Sequence, residues 1–282
     1  MNAAIVITGA SSGIGEAAAL DLAQRGFLVY AGVRSDADAR RTAAAHANLR
    51  PLRLDVTDPA AIASAVQAVE TGGVPLLGIV NNAGIAVAGP LEFLPLEELR
   101  RQFEVNFFGT LALTQAVLPL LRARGSGRVV FVGSISGRLT PPLLGPYSSS
   151  KHALRAAAIA LRFELAPAGI GVVLLEPGSV KTPIWAKGRA ASDEMLAHLP
   201  AAAETPYGPS LRNLVAVTET EEKNGMPVGV VVDAIRHALL DSRPKASYLL
   251  GFPARAGAIV GAIPFLRDKL FARMMVTEKK SP

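Results

Sequence analysis

The chain has 282 residues, of which 50% are hydrophobic and 18% are charged, and its net charge is +6. This composition is typical of a globular protein of one α/β domain. The absence of cysteine excludes disulfides, thiolate catalysis and zinc-thiolate sites, and it favours a cytoplasmic location. Aromatic residues make up only 5% of the chain and do not interleave with a basic stripe, so we expect no nucleic-acid partner. No His/Asp/Glu cluster has metal-ligand spacing, and we expect no metal.

Short apolar runs alternate with helical stretches through the first two thirds of the chain. The candidate strands are residues 3–7, 27–31, 49–54, 76–80, 128–132 and 171–175. The candidate helices between them are residues 16–25, 59–70, 96–124 and 148–166. Strands that are apolar on both faces and joined by crossover helices predict a doubly wound parallel sheet with helices on both faces.

The alternation breaks at about residues 183–227, a stretch that contains the single tryptophan and several prolines. A long insert of this kind predicts a substrate-binding lid. A helix at 228–240 and a last strand at 247–250 follow, which brings the sheet to about seven strands in one domain spanning 1–282. The C-terminal extension at about 252–282 contains six basic and two acidic residues. It is either a solvated tail or a segment that contacts a membrane surface or another subunit.

A glycine-rich turn, Thr8-Gly9-Ala10-Ser11-Ser12-Gly13-Ile14-Gly15, directly follows the first strand. Glycines allow positive φ and close approach of the backbone to a pyrophosphate, and the helix start offers free N–H groups to the anion. The alternative is a purely structural strand-to-helix turn. A Walker A loop is excluded because no Lys-Ser/Thr pair follows the last glycine. The candidate cofactor contacts here are Gly9, Ser11, Ser12, Gly13, Ile14 and Gly15.

Two further strand ends suggest which nucleotide binds. After the second strand, Val33 stands where an acidic residue would accept a ribose 2′-OH, and Arg34 follows it. A guanidinium suits a 2′-phosphate, so the sequence predicts NADP(H), with NAD(H) as the alternative. Asp55 and Val56 directly follow the third strand. Thr57 or Asp58 is the better candidate for the N-cap of the helix that begins at Pro59.

Tyr147 and Lys151 are four residues apart, so on a helix they share one face. A free tyrosine has a pKa of about 10, and a nearby ammonium is expected to lower it toward the range useful for acid/base chemistry. Ser134 follows the fifth strand, at the sheet edge where such folds bind ligands. A hydroxyl at this position can donate a hydrogen bond to a carbonyl oxygen and orient it, and Ser136 is a rival for this role. His152 should point away from the Tyr147/Lys151 face and be structural.

Together these motifs resemble the classical short-chain dehydrogenase/reductase family. The matching segments are T-G-x-x-x-G-I-G at 8–15, N-N-A-G at 81–84, N-x-x-G at 106–109, Ser134, Y-x-x-x-K at 147–151 and P-G-x-x-x-T at 177–182. The resemblance implies a Rossmann-type fold and the catalytic set Asn106, Ser134, Tyr147 and Lys151. It makes Asp55 and Val56, which resemble the family's D-V pair, candidate adenine contacts. It adds as further cofactor contacts Asn82, Ala83, Gly84, Tyr147, Lys151, Pro177, Gly178, Val180 and Thr182.

The resemblance further implies hydride transfer between a nicotinamide cofactor and an alcohol or ketone. Apolar residues in 183–227 and 139–146 predict a hydrophobic pocket. The Ser-Lys-His-Ala run at 150–153 resembles that of relatives that act on steroids, retinoids and other lipophilic alcohols or ketones, which implies a substrate of that kind. The alternatives are a ketoacyl-type reductase of fatty-acid metabolism, a sugar-nucleotide epimerase, and a non-catalytic cofactor-binding sensor. Family members commonly form homodimers or homotetramers, and we expect the same here.

Overall fold

The computed structural model describes residues 3–186, 188 and 201–275. Its centre is a seven-stranded sheet in the order β3-β2-β1-β4-β5-β6-β7, with every neighbouring pair parallel. The strands are β1 (Ala4–Ile7), β2 (Leu28–Val33), β3 (Leu49–Arg53), β4 (Leu76–Asn81), β5 (Gly127–Val132), β6 (Ile170–Pro177) and β7 (Ser247–Leu250). The predicted doubly wound fold and its seven strands are confirmed.

Helices cover both faces of this sheet. They are α1 (Gly13–Gln24), α2 (Asp36–Ala45), α3 (Pro59–Thr71), α4 (Leu96–Phe103), α5 (Gly109–Arg124), α6 (Gly145–Leu165), α7 (Ala201–Asn224), α8 (Val228–Leu240), α9 (Phe252–Ala262) and α10 (Pro264–Met274). The N-cap of α3 is Asp58, whose carboxylate accepts a hydrogen bond of 2.8 Å from the Ala60 N–H.

The core forms two layers, one on each side of the sheet, because side chains alternate along each strand. Ile5 and Ile7 of β1 pack with α1 and α8 on one face. Ala4 and Val6 point to the other face, where α3, α5 and α6 pack. Burial on both sides explains why the strands read as continuous apolar runs.

The sequence pattern missed α2 and joined two helices into one. Helix α2 buries only Thr42, so it lacks an apolar stripe, although Ser35 caps it by accepting a 3.0 Å hydrogen bond from the Asp38 N–H. The predicted helix at 96–124 is interrupted by a π-helical turn, Glu104–Phe108. Leu96–Arg124 has the length and composition of a membrane-crossing helix, but Leu113 and Leu121 are fully buried in the core.

The predicted lid and C-terminal extension both contain helices. Most of the lid that the structure describes is α7, which continues through Pro206 and Pro209, and residues 189–200 of the lid lie outside the described residues. The extension forms α9 and α10, and its end at 276–282 also lies outside them.

The strand order creates a crevice at the carboxyl ends of β1 and β4. Strand β1 pairs with β2 on one side and β4 on the other, so successive crossovers leave β1 in opposite directions. Open α/β sheets bind ligands at such a switch point. The turns at 8–15 and 82–84 meet there.

Candidate active site

The turn between β1 and α1 is shaped for an anion. Gly9 and Gly13 adopt φ values of +62° and +61°, which side chains rarely tolerate. A Cβ on Gly15 would lie 2.3 Å from the Gly9 carbonyl oxygen, so the helix start packs tightly against the turn. Ser12 is the N-cap of α1 but makes no capping hydrogen bond through its side chain. The first N–H groups of α1 are therefore available to a phosphate.

Thr8 and Asn82 join this turn to the one after β4. The Thr8 hydroxyl accepts hydrogen bonds from the N–H groups of Asn82 (2.9 Å) and Ala83 (2.8 Å). The Asn82 side-chain amide donates to the carbonyl oxygens of Thr8 (3.0 Å) and Gly9 (3.2 Å). The two turns are thus held as one unit at the switch point.

A cleft opens over these turns. The predicted cofactor residues that line it are Gly9, Ser11, Ser12, Gly13, Ile14, Arg34, Asp55, Val56, Asn82, Ala83, Gly84 and Thr182. Residues that the sequence did not single out as contacts are Gly32, Val33, Leu54, Ile85, Val105, Pro183 and Ile184. Gly15, Tyr147, Lys151, Pro177, Gly178 and Val180 do not line this part of the cleft. Strand ends and the loops that follow them form the cleft, so residues next to the recognised motifs also line it.

Asp55 and Arg34 lie close enough at the cleft to interact electrostatically. Burial acts to raise the pKa of the Asp55 carboxyl, but hydrogen bonds from the Thr57 N–H and hydroxyl, together with the Arg34 charge, outweigh it. The pKa of Asp55 is therefore below its ordinary value. Asp55 stays ionised at neutral pH and can accept hydrogen bonds from a ligand.

Helix α6 carries Tyr147 and Lys151 on one face, as predicted. Lys151 Nζ lies 5.7 Å from the centre of the Tyr147 ring and donates a 3.0 Å hydrogen bond to the Val132 carbonyl oxygen. Ser134, which follows β5, hydrogen-bonds to Tyr147. The Ser134 hydroxyl also accepts a 3.0 Å hydrogen bond from the Ser136 N–H. Ser134, rather than its rival Ser136, therefore faces the tyrosine.

Burial dominates the titration of both α6 residues. It raises the pKa of Tyr147 above its ordinary value, and the hydrogen bond with Ser134 only partly opposes this shift. Burial also lowers the pKa of Lys151 to about 8. The expected lowering of the Tyr147 pKa is therefore wrong for the protein alone, because burial of the phenol disfavours its charged form and raises the pKa instead.

His152 does not contribute to this face. Its Nδ1 lies 2.9 Å from the Ser148 carbonyl oxygen one turn earlier on α6. This contact within the helix agrees with the predicted structural role.

Asn106 lies in the π-helical turn and is buried. Its side-chain oxygen accepts from the Ile85 N–H at 2.9 Å, and its nitrogen donates to the Ile85 carbonyl at 3.0 Å and to Ser150 Oγ at 3.1 Å. Ser150 in turn donates to the Tyr147 carbonyl oxygen at 2.7 Å. Asn106 therefore connects the loop after β4 to the first turn of α6.

Gln102, which the sequence did not single out, also holds the loop after β4. It is fully buried, accepts a 2.7 Å hydrogen bond from the Val87 N–H and donates a 2.8 Å one to the Ile85 carbonyl. Its position four residues before Asn106, on the same helical face, is the feature of the sequence that could have identified it.

The loop after β6 is held from the side of α7. Ser179 donates a hydrogen bond to Glu221, and Val180 forms a parallel bridge with Met226. The Trp185 indole donates a 2.7 Å hydrogen bond to the Val180 carbonyl. The loop that carries Thr182 into the cleft is therefore fixed by residues of the predicted lid.

An ion cluster lies behind the Ser134 turn. Glu176, near the end of β6, is 1% exposed and accepts two 2.7 Å hydrogen bonds from Arg138. Arg155 of α6 lies 3.4 Å from the same carboxylate, and the Ser247 hydroxyl donates to it. One carboxylate thus ties together the Ser134 turn, α6, β6 and β7.

Comparisons with known proteins agree with this geometry. Residues 3–193 match the family described as short chain dehydrogenase. The chain is 39% identical over 252 residues to the NADPH-dependent 3-dehydrocapnine reductase of Ornithobacterium rhinotracheale, covering 87% of each chain. A short-chain dehydrogenase structure from Streptomyces avermitilis superposes with a TM-score of 0.78 at 30% identity, covering 96% of each chain. Another from Burkholderia cenocepacia, in complex with NADP, gives a TM-score of 0.71 at 27% identity over 97% of each chain. The chain belongs to the short-chain dehydrogenase family of oxidoreductases.

Proposed function

We propose that this protein is an NADP(H)-dependent oxidoreductase that interconverts a hydrophobic alcohol and its ketone. The observation that carries the proposal is the arrangement of Tyr147 against Ser134, with Lys151 one turn further along α6. It adjoins a cleft that begins with a phosphate-binding turn. The NADPH dependence in the name of the 39% identical reductase and the NADP-bound relative support this choice of cofactor.

The residues of the cleft fit a nicotinamide dinucleotide. Gly9 to Gly15 and the uncapped start of α1 would hold the pyrophosphate, and Asp55 and Val56 the adenosine. Arg34 would bind the 2′-phosphate. Pro177, Gly178, Val180 and Thr182 would bind the nicotinamide end. The cofactor supplies the hydride acceptor or donor of the reaction.

The protein supplies the proton. In the reducing direction Tyr147 donates its phenolic proton to the substrate oxygen, while Ser134 hydrogen-bonds to that oxygen and orients it. Lys151 would bind the nicotinamide ribose, and its charge favours the tyrosinate that forms. Asn106 acts as a positioning residue through Ser150, which fixes the first turn of α6.

Apolar side chains join α7 to the loop after β4. Phe93 and Tyr207 of α7 form an edge-to-face pair with ring centres 5.9 Å apart, and Leu91 packs against Gly145 at the start of α6. These contacts join α7 to the loop after β4 beside Tyr147. They support a hydrophobic substrate and the interpretation of 183–227 as a lid.

The test is a panel of ketones and alcohols, including steroids, retinoids and ketoacyl thioesters, assayed with NADPH and NADH by nicotinamide absorbance. We expect turnover of lipophilic ketones with NADPH. Turnover confined to ketoacyl thioesters would favour the fatty-acid reductase alternative. Tight NADPH binding without turnover of any substrate would favour the sensor.

We also propose a cytoplasmic homodimer or homotetramer. Phe108 beside α5 and Phe163 of α6 are 52% and 71% exposed, which supports a contact between copies on this face. The mass of the native protein in solution, compared with that of a Phe163→Gln variant, tests the assembly. A monomeric wild-type protein would exclude it.

A further inference from the structure

Helices α9 and α10 leave an apolar surface uncovered by the rest of the described chain. Among the large hydrophobic residues, Ile259 is 64% exposed, Ile263 42%, Phe265 72%, Leu266 45% and Leu270 46%. These five residues lie within twelve positions of one another, whereas exposed apolar residues elsewhere are more scattered. A concentrated patch of this kind indicates a binding surface.

Basic side chains lie on the same surface. At 100° per residue, Phe265, Leu266, Lys269, Leu270 and Arg273 fall within about 140° of the circumference of α10. Lys269 and Arg273 are exposed, and Lys269 Nζ lies 5.9 Å from the centre of the Phe265 ring. On α9, Arg255 lies one turn before Ile259 and is also exposed. The nearest described acid, Asp268, is paired with Arg267 at 2.8 Å.

The opposite side of α9 packs on the candidate active site. Ala254 is fully buried, and a Cβ on Gly257 would lie 3.3 Å from Ile135 Cγ1. A Cβ on Gly261 would lie 3.0 Å from the Arg138 carbonyl oxygen. The inner side of α9 therefore contacts the turn that begins at Ser134, and the apolar and basic residues face outward.

We infer that the outer surface of α9 and α10 docks on an anionic phospholipid membrane. Apolar side chains next to basic ones match the boundary between acyl chains and negatively charged headgroups. A second copy is the competing occupant. A symmetric contact would place this surface against itself, so that two patches each carrying Arg255, Lys269 and Arg273 would repel one another. Docking would bring the wall of the active site close to the bilayer, where lipophilic molecules concentrate.

The test is flotation of the full-length protein with vesicles of phosphatidylcholine alone or of phosphatidylcholine mixed with phosphatidylglycerol. We expect binding to the mixed vesicles and little to the neutral ones. The Leu266→Gln/Leu270→Gln variant removes apolar contact at constant charge, and Lys269→Gln/Arg273→Gln removes charge. Each pair should weaken binding about tenfold or more, given the typical contribution of buried leucines and of basic residues near a charged surface.

Two control variants match these changes away from the surface. Arg243→Gln/Lys245→Gln removes two exposed charges at the other end of β7. Leu96→Gln removes an apolar residue of α4 that is 59% exposed, and both variants should bind like the wild type. Unchanged NADPH affinity would show that the variants are folded. Equal binding to both vesicle types, or none to either, would overturn the inference. So would a dimer in solution that Leu266→Gln/Leu270→Gln dissociates. The readout does not depend on the proposed enzymatic activity.

Discussion

Lys151 and Tyr147 lie one helical turn apart on α6, with the lysine nitrogen 5.7 Å from the centre of the tyrosine ring. Neither side chain titrates as it would in water. Burial raises the pKa of Tyr147 and lowers that of Lys151 to about 8. The pair is therefore set to hold the tyrosine proton at neutral pH, the state that carbonyl reduction requires.

Replacing Tyr147 with phenylalanine should remove the proton donor without disturbing the cleft. We expect kcat for ketone reduction to fall by about 10²–10⁴-fold, the usual contribution of a positioned acid, while NADPH binding measured by fluorescence titration stays largely unchanged. Tyr248→Phe is the matched control, since that hydroxyl only accepts a 3.1 Å hydrogen bond from the Lys245 N–H. Retained turnover in Tyr147→Phe would remove the tyrosine from its proposed role.

The two directions of the reaction should depend oppositely on pH. Because the pKa of Tyr147 is raised, its protonated form persists through neutral pH, and kcat/KM for reduction should be flat there and fall only at alkaline pH. Oxidation needs the tyrosinate, so its kcat/KM should rise with pH. Because the pKa of Lys151 is about 8, its ammonium is already largely lost at the pH where tyrosinate forms, and Lys151→Met should leave the pH of that rise nearly unchanged. A kcat/KM for reduction that already falls as the pH is raised toward 7 would contradict the assignment.

Arg34 should decide between the two cofactors. In Arg34→Asp a carboxylate would repel the 2′-phosphate and accept a hydrogen bond from a ribose 2′-OH. We expect the KM for NADPH to rise about tenfold or more, the value of a lost charge-assisted hydrogen bond, while the KM for NADH is unchanged or lower. Arg40→Asp, an exposed position on α2, serves as the control. Equal effects of the two variants would point to general electrostatics rather than to a phosphate contact.

Glu176 should matter for stability in a way that surface carboxylates do not. Glu176→Gln leaves Arg138 and Arg155 without a charged partner at a buried site, and we expect the free energy of unfolding to fall by about 1–3 kcal/mol. Glu97→Gln breaks only an exposed 3.6 Å pair with Arg100 and should cost less than about 0.5 kcal/mol. Urea unfolding followed by circular dichroism measures both. A similar small loss in each would mean that the buried cluster contributes no more than a surface pair.

Much of the fold was predictable because buried strands must be apolar on both faces. The continuous apolar runs of β1 and β6 are typical of strands buried on both faces. The glycines at 9, 13 and 15 favour a tight turn between β1 and α1. Helix α2 escaped prediction because it buries a single side chain, Thr42. The π-helical turn around Asn106 also escaped, since its hydrogen bonds to Ile85 and Ser150 come from distant segments.

The sequence by itself determined the sheet, the glycine-rich turn and the shared face of the tyrosine and lysine, because these depend on local spacing and on the burial of neighbouring residues. Only the tertiary structure decided how that pair titrates. The pKa shifts arise because other segments pack around α6 and bury the pair. The contact of Tyr147 with Ser134 depends on strand β5, which ends about a dozen residues before α6 begins. Likewise, the sequence supplied the basic and apolar residues of the C-terminal extension, but only folding showed that α9 buries its glycine face on the Ser134 turn and turns Ile259 outward. The local sequence determines which ionisable and apolar side chains are present. The packing of distant segments determines how deeply each is buried, and so its pKa, and which way it faces.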